Sequence, residues 1–225
     1  PIKKNKSSFM VSGRRTYIDI LAKPFTKNSE LGGVPYYFYD LNTKVNYRFS
    51  DKDRLYLSGY FGRDVAQFQL FDGRLKAGFD WGNATSTLRW NHLFNDKFFM
   101  NVSAIYNNYQ FTADAKFDEL DNTFKSNIND YNAKLDFTYF PHIKHTIKLG
   151  LNHIYHIFNP RSLSINTGDT TFENENSNDK KYAHESAIYL MDEYKVTDNL
   201  MITGGIRGVG FAQMGPFTYY QYNNL

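Results

Sequence analysis

The sequence predicts an all-β chain, folded as an antiparallel up-and-down transmembrane β-barrel wall of about ten strands. Three observations predict this fold: strict alternation of apolar and polar residues, a high aromatic content, and turns sorted by length. The chain is only 41% hydrophobic and its mean hydropathy is -0.57, yet aromatic residues make up 18%, with 18 Tyr and 20 Phe. No apolar run approaches the roughly 18 residues that a membrane-spanning helix needs, whereas a strand needs only one apolar face.

The alternation is clearest between Tyr37 and Phe49. Because residues two apart on a strand share a face, one face is aromatic and aliphatic and the other is strongly polar. The same pattern recurs at 131–140 and 147–157. A change of phase between Ala104 and Tyr109 predicts a bulge in one further strand. Further strands are predicted at about 7–15, 54–66, 79–94, 98–111, 181–195 and 200–213, with another beginning near Phe217.

The connections alternate between short polar turns and longer segments. In an antiparallel meander this order places every short turn at one end, as in outer-membrane barrels with short periplasmic turns and long extracellular loops. Short turns are predicted at 50–53, 95–97, 141–144 and 196–199, and long connections at about 16–34, 67–78, 112–125 and 159–180.

The polar faces carry too many charges for a dry protein core, because unpaired buried charges are very costly. These faces are therefore expected to line a lumen, where they contact a plug or solvate a channel. The predicted lumen-facing residues are Asn42, Lys44, Asn46, Arg48, Arg89, Asn91, Asn132, Lys134, Asp136 and Arg207.

A second group combines aromatic and amide side chains near the predicted long-loop ends. Such side chains suit a sugar or peptide ligand through stacking and hydrogen bonds, but an aromatic girdle at the membrane interface is the favoured interpretation. The candidate ligand-contact aromatics are Tyr106, Tyr109, Tyr155, Tyr219 and Tyr220. Their neighbours in this group are Asn107, Asn108, Gln110, His156 and Tyr222.

The residues do not support nucleic-acid binding, a metal site or catalysis. There are no cysteines, and the net charge of +3 comes from interspersed charges rather than a nucleic-acid-binding patch. On a strand, His153 and His156 point to opposite faces, and His184 stands alone, so no metal site is predicted. Asp192 and Glu193 also point to opposite faces and cannot pair as acid and base. We therefore predict no enzyme activity, no catalytic residue and no cofactor.

Five stretches together resemble the barrel of TonB-dependent outer-membrane receptors of the type found in Bacteroidota. They are SFMVSGRRTYIDILAKPF (8–25), YYFYDLNTKVNYRFSDKDRLYLSGYFGRD (36–64), WGNATSTLRWNHLFNDKFF (81–99), DYNAKLDFTYFPHIKHTIKLGLNHIYH (130–156) and AIYLMDEYKVTDNLMITGGIRG (187–208). The resemblance implies a 22-stranded barrel in the bacterial outer membrane that imports a metal chelate, glycan, vitamin or peptide. It also implies as partners outer-membrane lipid, a small ligand and a TonB-type energy-transducing complex that acts on a plug, with a surface lipoprotein as an optional partner.

The plug domain of such receptors has no counterpart in residues 1–225. The sequence is therefore expected to form a single, incomplete barrel region from the interior of a longer receptor. Two alternatives stay open. One is a complete outer-membrane barrel of eight to ten strands that acts as a pore, enzyme or adhesin, and the other is a soluble all-β carbohydrate-binding module.

Overall fold

A computed structural model of the protein describes residues 6–26, 36–70, 74–117, 120–166, 171–173 and 180–215. Strands dominate these residues, and two four-residue helices, α1 (Ile18–Leu21) and α2 (Lys23–Thr26), lie in the first connection. Among the described residues, neither helix has the length or apolar character of a membrane span. The strands are β1 (Ser7–Arg15), β2 (Tyr36–Arg48), β3 (Asp53–Leu70), β4 (Leu75–Asn95), β5 (Phe98–Phe117), β6 (Leu120–Tyr139), β7 (His145–Asn166), β8 (Thr171–Glu173), β9 (Lys181–Lys195) and β10 (Met201–Met214).

All strands belong to one antiparallel sheet in the order β1-β2-β3-β4-β5-β6-β7-β9-β10, and the short β8 pairs with β7. Apart from β8, each strand pairs with the next one along the chain, which confirms the predicted up-and-down architecture. The four short turns fall where they were predicted, between β2 and β3, β4 and β5, β6 and β7, and β9 and β10. In the described part of the chain, β1 and β10 each have one neighbour, so these strands form an open section of wall.

The register sorts side chains onto two faces. Val102, Leu135, Leu151 and Ile188 lie opposite one another on successive strands, so they share one face, which we call the apolar face. We call the opposite side the polar face. On each strand it carries the residues that alternate with those of the apolar face, such as Asn132 on β6. Ile188 is 55% exposed. Among the described residues no second layer covers the apolar face, whereas a soluble sandwich would bury it.

The sheet extends well past the predicted strand ends. The predicted long connections at 67–78 and 112–125 are wrong, because β3 and β4 pair as far as Leu70 and Leu75, and β5 and β6 pair as far as Phe117 and Leu120. Likewise β7 continues to Asn166, inside the predicted connection at 159–180. The strand predicted near Phe217 lies outside the described residues. Towards these strand ends the alternation continues with its phase inverted. Asp80, Thr112 and Lys125 form a polar row on the side of the apolar face, while Phe79, Ala113 and Phe124 form an apolar row on the opposite side.

The prediction of a bulge in β5 is also wrong. β5 pairs without interruption with β6, and the register shifts lie elsewhere, beside Leu93 on β4 and between Lys125 and Asn127 on β6. The phase changes because Asn108 continues the face of Tyr106, while Tyr109 lies on the polar face. The phase change in the sequence therefore marks the level at which the apolar residues of the apolar face end, toward the predicted long connections.

Gly150 is a close-approach position on the polar face. Tyr189 pairs with Gly150 across β7 and β9, and a Cβ at position 150 would lie 2.3 Å from a carbon of the Tyr189 ring. The Tyr189 hydroxyl donates a hydrogen bond to Asp136 on β6, so the ring spans three strands over the glycine.

Gly150→Ala should therefore displace the Tyr189 ring and break this hydrogen bond. We expect a loss of about 1–3 kcal/mol in the free energy of unfolding of the intact protein, measured by denaturant titration in lipid vesicles. Gly204→Ala is the matched control, because nothing lies within 4 Å of a Cβ at position 204. A loss at position 204 as large as that at position 150 would contradict this explanation.

Candidate functional site

The polar face collects all ten residues predicted to line a lumen. One row across the sheet consists of Asn42 on β2, Tyr60 on β3, Thr85 on β4 and Asn107 on β5, each opposite the next. Because residues two apart on a strand share a face, the other candidates lie on the same side of the sheet as this row. They are Lys44, Asn46 and Arg48 on β2, Arg89 and Asn91 on β4, Asn132, Lys134 and Asp136 on β6, and Arg207 on β10. Their role in a lumen stays a prediction.

On the β6–β9 part of the polar face, charges are paired. Lys134 Nζ lies 3.0 Å from Asp136 Oδ2, and Lys148 forms an ion pair with Glu193. His156 is the centre of a third group, with Nδ1 2.7 Å from Asp130 Oδ1 and Nε2 3.9 Å from a Glu185 carboxylate oxygen. Pairing of this kind lets many charges share one wall without a strong local field.

The β2–β4 part of the polar face differs, because Lys44 and Arg89 lack acidic neighbours, whereas Arg48 is paired with Asp51 in the adjoining turn. Lys44 and Arg89 line a recess of about 580 Å³ together with amides and hydroxyls, and no carboxylate lines it. Within the described part of the chain, neither residue has an ion-pair partner. This recess is therefore the part of the polar face best suited to attract an anionic group. Its other lining side chains include Asn46, Tyr56, Ser58, Thr87, Asn91 and Asn101.

An aromatic row, which we call the turn-side row, borders the apolar face next to the short turns. It consists of Trp90, His92, Phe94, Phe98 and Tyr139, whose neighbouring ring centroids lie 4.6 to 6.1 Å apart. His145 and Tyr194, stacked 4.5 Å apart, continue this row across β7 and β9.

Asp53 anchors one end of the turn-side row. Its carboxylate accepts a hydrogen bond from Trp90 Nε1 at 3.1 Å and lies 2.6 Å from His92 Nδ1. The hydrogen bond with His92, followed by that from the Ser50 hydroxyl, lowers the pKa of the Asp53 carboxyl group. These contacts fix the polar edges of Trp90 and His92 beside the turn.

A second aromatic row, the loop-side row, borders the apolar face at its other end. It consists of Tyr106, Tyr131, Tyr155 and His184, which lie directly opposite one another on β5, β6, β7 and β9. The Tyr106 and Tyr131 rings lie 5.3 Å apart, and those of Tyr155 and His184 lie 4.8 Å apart. His184 also contacts His153, with Nδ1 3.2 Å from His153 Nε2. The prediction that His184 stands alone is therefore wrong.

The spacing of the two rows measures the apolar band. On β6 the rows are eight positions apart, from Tyr131 to Tyr139, and on β9 they are ten apart, from His184 to Tyr194. At about 3.4 Å per residue and a strand tilt of about 40°, this separation corresponds to a band roughly 20–26 Å tall. Outer-membrane barrels carry an outward-facing apolar band about 25 Å tall, so the separation of the two rows matches the height of such a band.

The candidate ligand-contact residues that the structure describes lie on both faces of the sheet. Tyr106 and Tyr155 belong to the loop-side row, whereas Tyr109 lies on the polar face opposite Asn83 and Ile128. Their neighbours divide in the same way, with Asn108 and Gln110 on the side of the loop-side row and Asn107 and His156 on the polar face. Tyr219, Tyr220 and Tyr222 lie outside the described residues. No group of three or more potential metal ligands occurs in the described ranges.

The comparisons with known proteins identify the fold. No protein-family profile matches the chain, and no curated protein sequence matches it. The crystal structure of the ferric yersiniabactin uptake receptor FyuA from Yersinia pestis is similar, with a TM-score of 0.63 and 13% sequence identity. The match covers 94% of this chain but 35% of the receptor, so the chain spans about a third of that protein. The chain therefore has the fold of a section of a receptor-like β-barrel wall.

Proposed function

We propose that this chain forms barrel wall and extracellular ends of a TonB-dependent outer-membrane receptor that imports a nutrient. The contrast between the two faces of a single-layered sheet carries the proposal. One face offers an unburied apolar band of bilayer height between two aromatic rows, and the other offers amides and charges. A bilayer and a water-filled lumen are the two environments that satisfy both faces at once.

This assignment orients the chain. The apolar face contacts lipid, the polar face lines the lumen, and the short turns lie in the periplasm. The strand ends beyond the loop-side row project outside the cell, where their outer side carries polar residues such as Asp80 and Lys125 and meets water. Paired charges on β6–β9 and the cationic recess on β2–β4 then form two different parts of the lumen wall, suited to contact a plug or to solvate a channel.

The substrate belongs to the range that such receptors import: a metal chelate, a glycan, a vitamin or a peptide. The similar structure is a receptor for ferric yersiniabactin, and this supports the transporter class without selecting a substrate for this chain. In the proposed mechanism, substrate binds outside the cell. A TonB-type complex in the inner membrane then acts on a plug beyond residues 1–225, and substrate passes through the lumen.

The intact protein should form a closed barrel whose transport requires energy. Reconstituted into a planar bilayer, it should show no steady ion conductance, because a plug fills the lumen. In cells, a protonophore should abolish uptake of its substrate. Continuous conductance, or uptake that persists with the protonophore, would contradict the proposal and favour a small passive pore.

A further inference from the structure

Beyond the loop-side row, the lipid-facing side of β5–β7 carries hydrogen-bonded asparagines. We call Asn108, Asn127, Asn129 and Asn159 the amide cluster. Asn129 Oδ1 accepts a hydrogen bond from Asn108 Nδ2 at 2.7 Å, and Asn127 Oδ1 accepts from Asn129 Nδ2 at 2.6 Å and from Asn159 Nδ2 at 3.2 Å. Each amide is therefore held in place by its neighbours.

The amide cluster is continuous with the loop-side row. The Tyr106 hydroxyl donates to Asn129 Oδ1 at 3.0 Å, so the ring lies at the edge of the apolar band and its hydroxyl reaches the amides. On β5, Asn108 is the next position after Tyr106 on this face, and Asn129 is the next after Tyr131 on β6. The cluster thus lies one step beyond the apolar band.

A recess of about 760 Å³ lies beside the amide cluster, and its charges balance. Two cations, Arg63 and Lys125, and two carboxylates, Asp80 and Asp114, line it together with Asn108, Gln110, Asn127 and Asn129. Arg63 is already engaged with Asp80, since its Nε and a terminal nitrogen lie 2.7 to 2.8 Å from the carboxylate oxygens. A phosphate could pair with Arg63 only by displacing that carboxylate, and the carboxylates of Asp80 and Asp114 would repel it, whereas an uncharged polar group meets neither cost.

The recess keeps hydrogen-bonding capacity for a ligand. Within the described part of the chain, the Asn127 amide nitrogen and the Asn108 amide oxygen have no hydrogen-bond partner, so they supply free donors and a free acceptor. Fixed amide donors and acceptors match the neighbouring hydroxyl groups of a sugar, because each hydroxyl both donates and accepts.

We propose that this recess binds the uncharged sugar head group of a membrane glycolipid; the proposal rests on the proposed function. The recess lies at the edge of the apolar face, next to the loop-side row. A sugar bound there can belong to a lipid, because the acyl chains of that lipid would lie along the apolar face. The aromatic and amide residues noted in the sequence then have a different role. Tyr106, Asn108 and Gln110 suit a sugar, but they lie outside the barrel, away from the import path.

The test uses the full-length receptor in detergent and native mass spectrometry. The probes are diglucosyl diacylglycerol, phosphatidylethanolamine with the same acyl chains, and the free disaccharide. We expect the glycolipid to bind about ten-fold more tightly than the phospholipid, a difference of about 1.4 kcal/mol. The double variant N108A/N127A should lose this preference. N107A, whose side chain lies on the polar face and accepts a hydrogen bond from Thr85, should keep it.

Several results would overturn the inference. These are equal binding of the two lipids, loss of the preference in N107A, or equally tight binding of the free disaccharide, which would indicate a soluble glycan instead. A photo-crosslinker at position 110 that captures a polypeptide in intact cells would indicate a protein partner. A variant counts only if it stays heat-modifiable on gels, the mark of a folded barrel. A folded receptor that lacks the lipid preference but still depends on energy for uptake would overturn this inference alone.

Discussion

Leu135→Arg should reduce the stability of the intact barrel by about 2–4 kcal/mol. Leu135 lies between Val102 and Leu151 on the apolar face, midway between the loop-side row at Tyr131 and the turn-side row at Tyr139. A guanidinium group there must enter hydrocarbon or bend toward an interface, and both outcomes are costly near the midplane. Denaturant titration of the full-length protein in lipid vesicles, read by heat-modifiable migration, measures the loss.

Asn132→Arg is the matched control, three positions away on the same strand but on the polar face. There the new cation meets water in the proposed lumen and shares a face with Asp130, which lies two positions along the strand. The Asn132 side-chain oxygen is buried without a hydrogen-bond partner, so the substitution removes no hydrogen bond of that oxygen. We expect a change within about 0.5 kcal/mol. Equal losses at positions 132 and 135 would show that the two faces are assigned wrongly.

The sequence predicted the middle of each strand well, for a physical reason. Alternation with period two arises where one face meets an apolar environment and the other meets water. The predictions at 7–15 and 181–195 match the bounds of β1 and β9. Beyond the apolar band the alternation continues with its phase inverted, so the extra length of β3 to β7 did not extend the pattern of the band and was taken for loops.

The cross-strand rows could not be predicted, because they depend on register. Tyr106, Tyr131 and Tyr155 are about 25 residues apart in the sequence and become neighbours only through backbone pairing between β5, β6 and β7. The contact between His153 and His184 depends in the same way on the pairing of β7 with β9. Alternation did place all ten polar candidates on one face, since that requires only the period within each strand and not the alignment between strands.

Produced alone, the 225-residue chain should aggregate rather than yield a monomer. In the described part of the structure, β1 and β10 each expose one edge of unpaired backbone donors and acceptors, and such edges pair readily with other chains. β10 adds apolar exposure beside its edge, with Ile206 76% and Phe211 63% exposed.

Size-exclusion chromatography after refolding in detergent tests this expectation. The isolated chain should elute as large species without heat-modifiable migration, whereas the full-length protein, in which the proposed further strands would close the barrel, should elute as a monomer. In a bilayer an open edge is more costly still, because hydrocarbon offers no hydrogen bonds to unpaired backbone groups. A detergent-free, monodisperse 225-residue product would show that both edges and the apolar face are covered within this chain. The membrane assignment would then give way to the soluble carbohydrate-binding module.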